Sequence, residues 1–318
     1  MRYRLLTGFM VAATMFYNSS CGQQKAKKEK MKTDVYVEKM ATLCKSIQKY
    51  DYNPSYQIRF TGVACSYEIL VNDFPVYYSF SPGNSAGEQI ADIGEFILNP
   101  GKQRIRIRVF PETGRDHKPD TLLSGNTSLK IRIVEGEYGK SAADAFKEVF
   151  AISTPPFDGS VPYFETDGSF QATVPYTLKG WSDGVNLSEE DSAALEKEVV
   201  ALTDKIRSLY AEKDLEGIAK AQYQRALEYN TAHYFNSDED CRRWITNTEG
   251  TLSKIEKMAP LEKYKMVLYG DGKVVTLIRT DPEFLHESPV IAIRKEGLAI
   301  YPYFFYRPRP GAPLEVIR

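Results

Sequence analysis

"KGWSDGVNLSEED", residues 179–191, divides the chain into two kinds of sequence. Gly180 and Gly184 break regular structure, and acidic residues become frequent after them. Ser188 followed by Glu189, Glu190 and Asp191 reads as a helix start, with carboxylates at the positive end of the helix dipole. Beyond it Leu195, Val199, Leu202, Ile206 and Leu209 form one apolar stripe at helical spacing. Before it, apolar residues recur at every second position. A switch from a period of two to about 3.6 predicts two domains, an all-β sandwich followed by an α+β unit.

Upstream, residues 56–66, 67–71, 76–81, 93–98, 104–110, 129–134 and 170–176 read as short strands. Turn clusters such as Asn72-Asp73, Pro82-Gly83-Asn84 and Asn99-Pro100-Gly101 separate them. Short strands without intervening helices predict a β-sandwich over residues 54–181, a barrel being the other closure of the same pattern. Residues 142–152 suit either a short helix or a further strand. Ahead of the sandwich, residues 34–53 hold Val37, Met40, Leu43, Cys44 and Ile47 at the spacing of a short amphipathic helix.

Downstream, a second helix spans 214–229, and a third begins at Ser237 with Asp240 three residues on, burying Cys241, Trp244 and Ile245. Strands return around Gly270-Asp271-Gly272 and Gly297, giving two hairpins. Residues 188–310 thus read as three helices followed by an antiparallel sheet, with 311–318 as a tail. That order resembles the NTF2-like (SnoaL-like) cone, in which helices close over a curved sheet and leave a pocket. The resemblance is topological, and Tyr223, His233, Trp244 and Tyr303 are the candidate pocket residues. It transfers no catalytic residue, because the cone hosts enzymes, transport adaptors and immunity proteins alike. "IYPYFFYRPRP", residues 300–310, reads as a final strand whose rings fill the core, although aromatic and Arg residues together also mark binding hot spots.

The first thirty residues carry an address. Arg2 and Arg4 precede an apolar run over 5–17, and Ser19 and Ser20 precede Cys21, a secretory signal over residues 1–20. The run is shorter than the roughly 20 residues that span a bilayer. Ser20-Cys21-Gly22 resembles the bacterial lipobox, which implies that Cys21 is lipidated and becomes the mature N-terminus, with residues 21–33 as a lysine-rich tether. The expectation is a protein facing the periplasm of a Gram-negative bacterium and anchored to a membrane through Cys21.

A formal net charge of -1 makes nucleic acid a poor partner. Cys44, Cys65 and Cys241 then lie in a disulfide-permissive compartment; a Cys44–Cys65 bridge is favoured, and three buried free thiols fit equally well. The three His, at 117, 233 and 286, are far apart, and without CxxC or HExxH the expectation is no metal site and no cofactor.

"GNSAG", residues 83–87, fits the G-x-S-x-G pattern around Ser85. That motif works only where a strand turns sharply into a helix, so a glycine-rich loop is the reading and no enzyme is expected. "KQRIRIRVF" and "SLKIRIV" each alternate an apolar face with a cationic one, made of Arg104, Arg106 and Arg108 on the first and Lys130 and Arg132 on the second. Side by side, the two strands would form a basic patch for an acidic protein surface; otherwise Glu88, Glu95 or Glu135 would neutralise a solvated face.

Three longer stretches, "EILVNDFPV" (68–76), "IADIGEFILNPGKQRIRIRVFP" (90–111) and "VPYFETDGSFQATVPYTLKGWSDGVNL" (161–187), resemble exported proteins and lipoproteins of Gram-negative bacteria. Some of those are associated with loci for secreted antibacterial toxins. The resemblance implies a protein that works by binding another protein, most concretely an immunity protein that occludes such a toxin. A ligand-binding or enzymatic cone domain acting through His233, and a structural envelope lipoprotein, are the alternatives.

Overall fold

The computed structural model describes residues 35–82, 87–140 and 145–318. The expected signal segment, Cys21, the expected tether and Ser85 lie outside the described residues. Helix α1 (Val35–Thr42) runs into a tight turn over Leu43–Ser46. Eight strands follow: β1 (Pro54–Val63), β2 (Cys65–Val71), β3 (Phe74–Ser79), β4 (Gln89–Asp92), β5 (Gly101–Pro111), β6 (Ser128–Glu137), β7 (Lys147–Ser153) and β8 (Phe164–Ala172). They form two antiparallel sheets, in the orders β4-β1-β6-β7 and β3-β2-β5-β8. Alternation points Ile105, Ile107 and Val109 of one sheet and Leu129, Ile131 and Ile133 of the other into a common core. Burying each such side chain stabilises the fold by roughly 1.5–3 kcal/mol. No described sheet closes into a barrel. The expected strand at 93–98 is instead a turn over Gly94–Phe96, because the Asp92 carboxylate accepts the Gly94 N–H at 2.9 Å and bends the chain out of the ladder.

The helices α2 (Ser192–Ala211), α3 (Leu215–Ala232) and α4 (Asp238–Ser253) each start at a side-chain cap. Asp191 accepts from Ala194 N at 2.8 Å, Asp214 from Gly217 N at 2.9 Å, and Ser237 with Asp240 forms a reciprocal capping box. Ser188 is therefore not the start of α2; it sits in a short turn whose cap is Asn186. The remaining strands are β9 (Ile255–Met258), β10 (Tyr264–Tyr269), β11 (Val274–Arg279), β12 (Ile291–Arg294), β13 (Gly297–Ile300), β14 (Phe305–Tyr306) and β15 (Glu315–Val316). They make the antiparallel sheets β10-β11-β14-β15 and β13-β12-β9. The single final strand expected near 298–306 is broken at Pro302, which has no N–H to donate: β13 ends in one sheet and β14 begins in the other. Residues 311–318 are not a loose tail either. Here β15 pairs with β14, and the buried Arg318 donates to Glu228 at 2.8 Å and to the Glu95 carbonyl at 2.7 Å.

One hydrophobic cluster continues across residues 179–191. Trp181 is 3% exposed and packs against Phe74 with ring centroids 4.8 Å apart. Gly270, at φ +61°, carries the tip of the β10–β11 hairpin past the indole, where a Cβ would lie 2.8 Å from the ring. That tip docks on the β2–β3 turn through Gly270 N to Asp73 O and Asp271 N to Asp73 Oδ2, both 2.8 Å. Tyr234, Tyr269, Val274, Tyr306 and Ile317 belong to the same cluster as the strands of the first two sheets. A second cluster joins Leu195, Val199 and Ile206 of α2 to Val275, Leu277 and Phe305.

The cysteine expectation is overturned. Cys44 is bonded to Cys241, with Cα atoms 4.9 Å apart, because Met40 and Leu43 of the N-terminal segment pack on Ala219 and Ala226 of α3 and so reach α4. Cys65 stays free in the core, where burial pushes its thiol up to about 11.

Candidate functional site

Gln222, Arg225, Ala226 and Tyr229 fall at i, i+3, i+4 and i+7 on α3 and therefore share one face. Asp240, Arg243, Trp244 and Asn247 do the same on α4. The two faces are opposed, and residues 301–303, released from sheet pairing at Pro302, close the third side of a cleft of about 380 Å³. That volume lies within the roughly 300–1,000 Å³ range of small-ligand sites. The spacing of the two helices is held from behind by α1. Tyr36 N and Val37 N donate to the Glu216 carboxylate of α3 at 2.9 Å, and the turn after α1 is bonded to α4 through Cys44–Cys241.

The floor is a polar network set in aromatic rings. Tyr210, near the end of α2, stacks on Tyr301 at 4.6 Å, and its hydroxyl lies 2.8 Å from that of Tyr303. Gln222 Nε2 donates to both hydroxyls, at 3.1 and 2.5 Å, while its Oε1 accepts Trp244 Nε1–H at 3.3 Å. Burial pushes both phenols upward, Tyr303 far above the usual tyrosine range, so both are protonated at neutral pH. At the rim, the Arg225 guanidinium stands 5.8 Å from the centre of the Tyr303 ring, and that of Arg243 stands 4.1 Å from Phe235. Such cation–π contacts contribute about 0.5–1 kcal/mol each when exposed.

Of the expected pocket residues, Trp244 and Tyr303 line the cleft, and Tyr223 and His233 do not. Tyr223 turns to the other side of α3, edge-on to Tyr36 at 6.0 Å. His233 follows the last turn of α3, with Nδ1 2.8 Å from Tyr229 O and Nε2 3.6 Å from Asp92. It stacks under Tyr229 at 4.1 Å and so supports a wall without reaching the cavity. Burial opposes its charge, but Asp92 outweighs that and raises its pKa.

The basic strands do not combine. β5 lies between β2 and β8, whereas β6 lies between β1 and β7, so Arg104, Arg106 and Arg108 are in a different sheet from Lys130 and Arg132. Carboxylates meet most of these charges. Arg104 pairs with Asp271 at 2.5 Å, Arg106 with Asp73 at 3.3 Å, and Arg108 with Glu165 at 2.9 Å and the buried Glu68 at 3.3 Å. Arg132 pairs with Glu88 and, at 3.9 Å, with Glu148; Lys130 is exposed.

Tyr210, Gln222, Arg225, Tyr229 and Arg243 were not among the residues expected at a site. The usable signal was the mixed polar and aromatic stripe at 222, 225, 226 and 229, which a search for apolar stripes passes over. Among the described residues no group of three or more His, Cys, Asp or Glu is placed to hold a metal, and no described helix is long and apolar enough to cross a membrane. No known family, curated protein or solved structure matches the chain.

Proposed function

We propose that this protein acts by binding another protein, as a periplasm-facing lipoprotein anchored through Cys21, and most concretely as an immunity protein that occludes a secreted antibacterial toxin. The observation that supports binding is the cleft: Trp, Tyr and Arg are the residue types that concentrate interface energy, and here they surround one open cavity. Bracing by Glu216 and the Cys44–Cys241 bond supports a preformed receptor, which loses less entropy on association. The choice of a toxin rests on the sequence alone, through the signal segment and the three familiar stretches. In this reading the first two sheets are a sandwich domain, and residues 188–310 are an NTF2-like cone whose pocket is the cleft. A small ligand in the same cleft is the second reading, favoured by the hydroxyl and amide groups at its floor.

Affinity purification of the tagged full chain from its native cells, with mass spectrometry of its N-terminal peptide and its partners, tests the proposal. The expected result is an acylated Cys21 peptide and one stoichiometric secreted partner that is lost from the Tyr229→Ala, Arg225→Gln double variant. An unmodified N-terminus with no partner, or a partner kept in full by the double variant, contradicts it.

A further inference from the structure

The hydrogen bonds at the floor of the cleft leave one donor over. Trp244 Nε1–H can only donate, so Gln222 turns its Oε1 to the indole and its Nε2 to the two phenols. One tyrosine hydroxyl donates to the other across their 2.8 Å contact. The hydroxyl that accepts keeps its own proton, and no described residue takes it. Tyr210 and Tyr303 are 5% and 3% exposed and line the cleft, so an acceptor for that proton has to come from within the cleft.

A second spare donor stands above the first. The cleft is lined by two guanidiniums and one carboxylate, and Asp240 is already held by Arg243 at 2.7 Å. Arg225 donates to Pro302 O at 3.3 Å and has no carboxylate within 4.0 Å among the described residues. Its charge acts on three of the phenols that line the cleft, Tyr210, Tyr229 and Tyr303.

We propose that the cleft is a carboxylate site, in which Arg225 and the spare phenol proton take the two oxygens while Tyr229, Phe235, Trp244 and Tyr301 enclose an apolar body attached to the acid. This deepens the binding reading, and rests on it only for the source of the carboxylate: an acidic side chain of a protein partner, or a free organic acid. One negative charge matches the one unpaired guanidinium. A phosphate monoester brings nearly two, and the excess would sit uncompensated among aromatic rings.

Calorimetric titration of the full chain with phenylacetate and with its neutral amide, phenylacetamide, tests the site at neutral pH. The acid is expected to bind at least about tenfold more tightly than the amide. Arg225→Gln should bring the two together, and Arg225→Lys, which keeps the charge, should retain most of the preference. Unchanged melting temperatures would show that both variants fold. An N-acetylated, C-amidated Phe-Glu peptide measured beside the free acid separates the sources: tighter peptide binding indicates a protein partner, and tighter acid binding indicates a small molecule. Equal affinity for acid and amide, no saturable binding of either, or a preference intact in Arg225→Gln overturns the carboxylate site. Failure of the protein-binding reading would show separately, as the absence of a captured partner.

Discussion

Arg108 and Arg132 are alike in sequence, each the polar member of an alternating strand, yet they sit in different electrostatic settings. The buried Glu68 accepts from Tyr269 at 2.8 Å and faces Arg108 and His286. Burial works to raise the pKa of this carboxyl, but His286, Tyr269 and Arg108 together hold it below the usual range. Arg108→Met removes one partner of a buried carboxylate and should lower the unfolding free energy in urea by about 1–3 kcal/mol. Arg132→Met removes exposed pairs and should cost less than about 1 kcal/mol. Equal losses would contradict the distinction. Alternation in the sequence identified which face of each strand was polar, but the neighbouring strand decides the counter-charge, and Asp271 lies 167 positions from Arg104. His233 gives a pH signature. Its pKa is raised in the folded state, so its pairing with Asp92 contributes in full below the unfolded value of about 6.5 and fades as pH rises through the folded value. Asp92→Asn should therefore lower the melting temperature most near about pH 5–6 and progressively less above that. A loss that grows toward alkaline pH would contradict this assignment.

Among the elements, helices were more legible than strands, because caps and stripes are local. Asp240 three residues after Ser237 identified the start of α4. The disulfide was not legible, because its pairing follows from the packing of α1 on α3 and α4, which no local pattern encodes. The break at Pro302 was visible as a residue, but its consequence was not: the chain changes sheets there and so delivers Tyr301 and Tyr303 to the cleft. The bond from Cys44 to Cys241 closes a separation of 197 residues. Chain entropy sets its contribution at about 5 kcal/mol at most, and measured bridges typically give about 2–4 kcal/mol. Cys44→Ser should cost about that much and should speed amide exchange first in residues 35–42 and 238–253, before the sheets open. Exchange in α1 and α4 that matches the intact protein would show that the bond braces neither helix.

For the whole molecule, residues 179–191 form a joint with a buried anchor at Trp181. Trp181, the hairpin tip at Gly270 and the pairs His233–Asp92 and His286–Glu68 all tie the first two sheets to the C-terminal elements. A body joined in this way can present the cleft at a fixed orientation to whatever approaches it. The central claim is that recognition happens at the cleft and not on the charged faces of β5 and β6. Amide hydrogen exchange of the full chain, free and in the complex isolated from its native cells, tests that most directly. Protection confined to residues 215–253 and 301–303 is the predicted result. Protection of residues 101–137 with the cleft unchanged would contradict it.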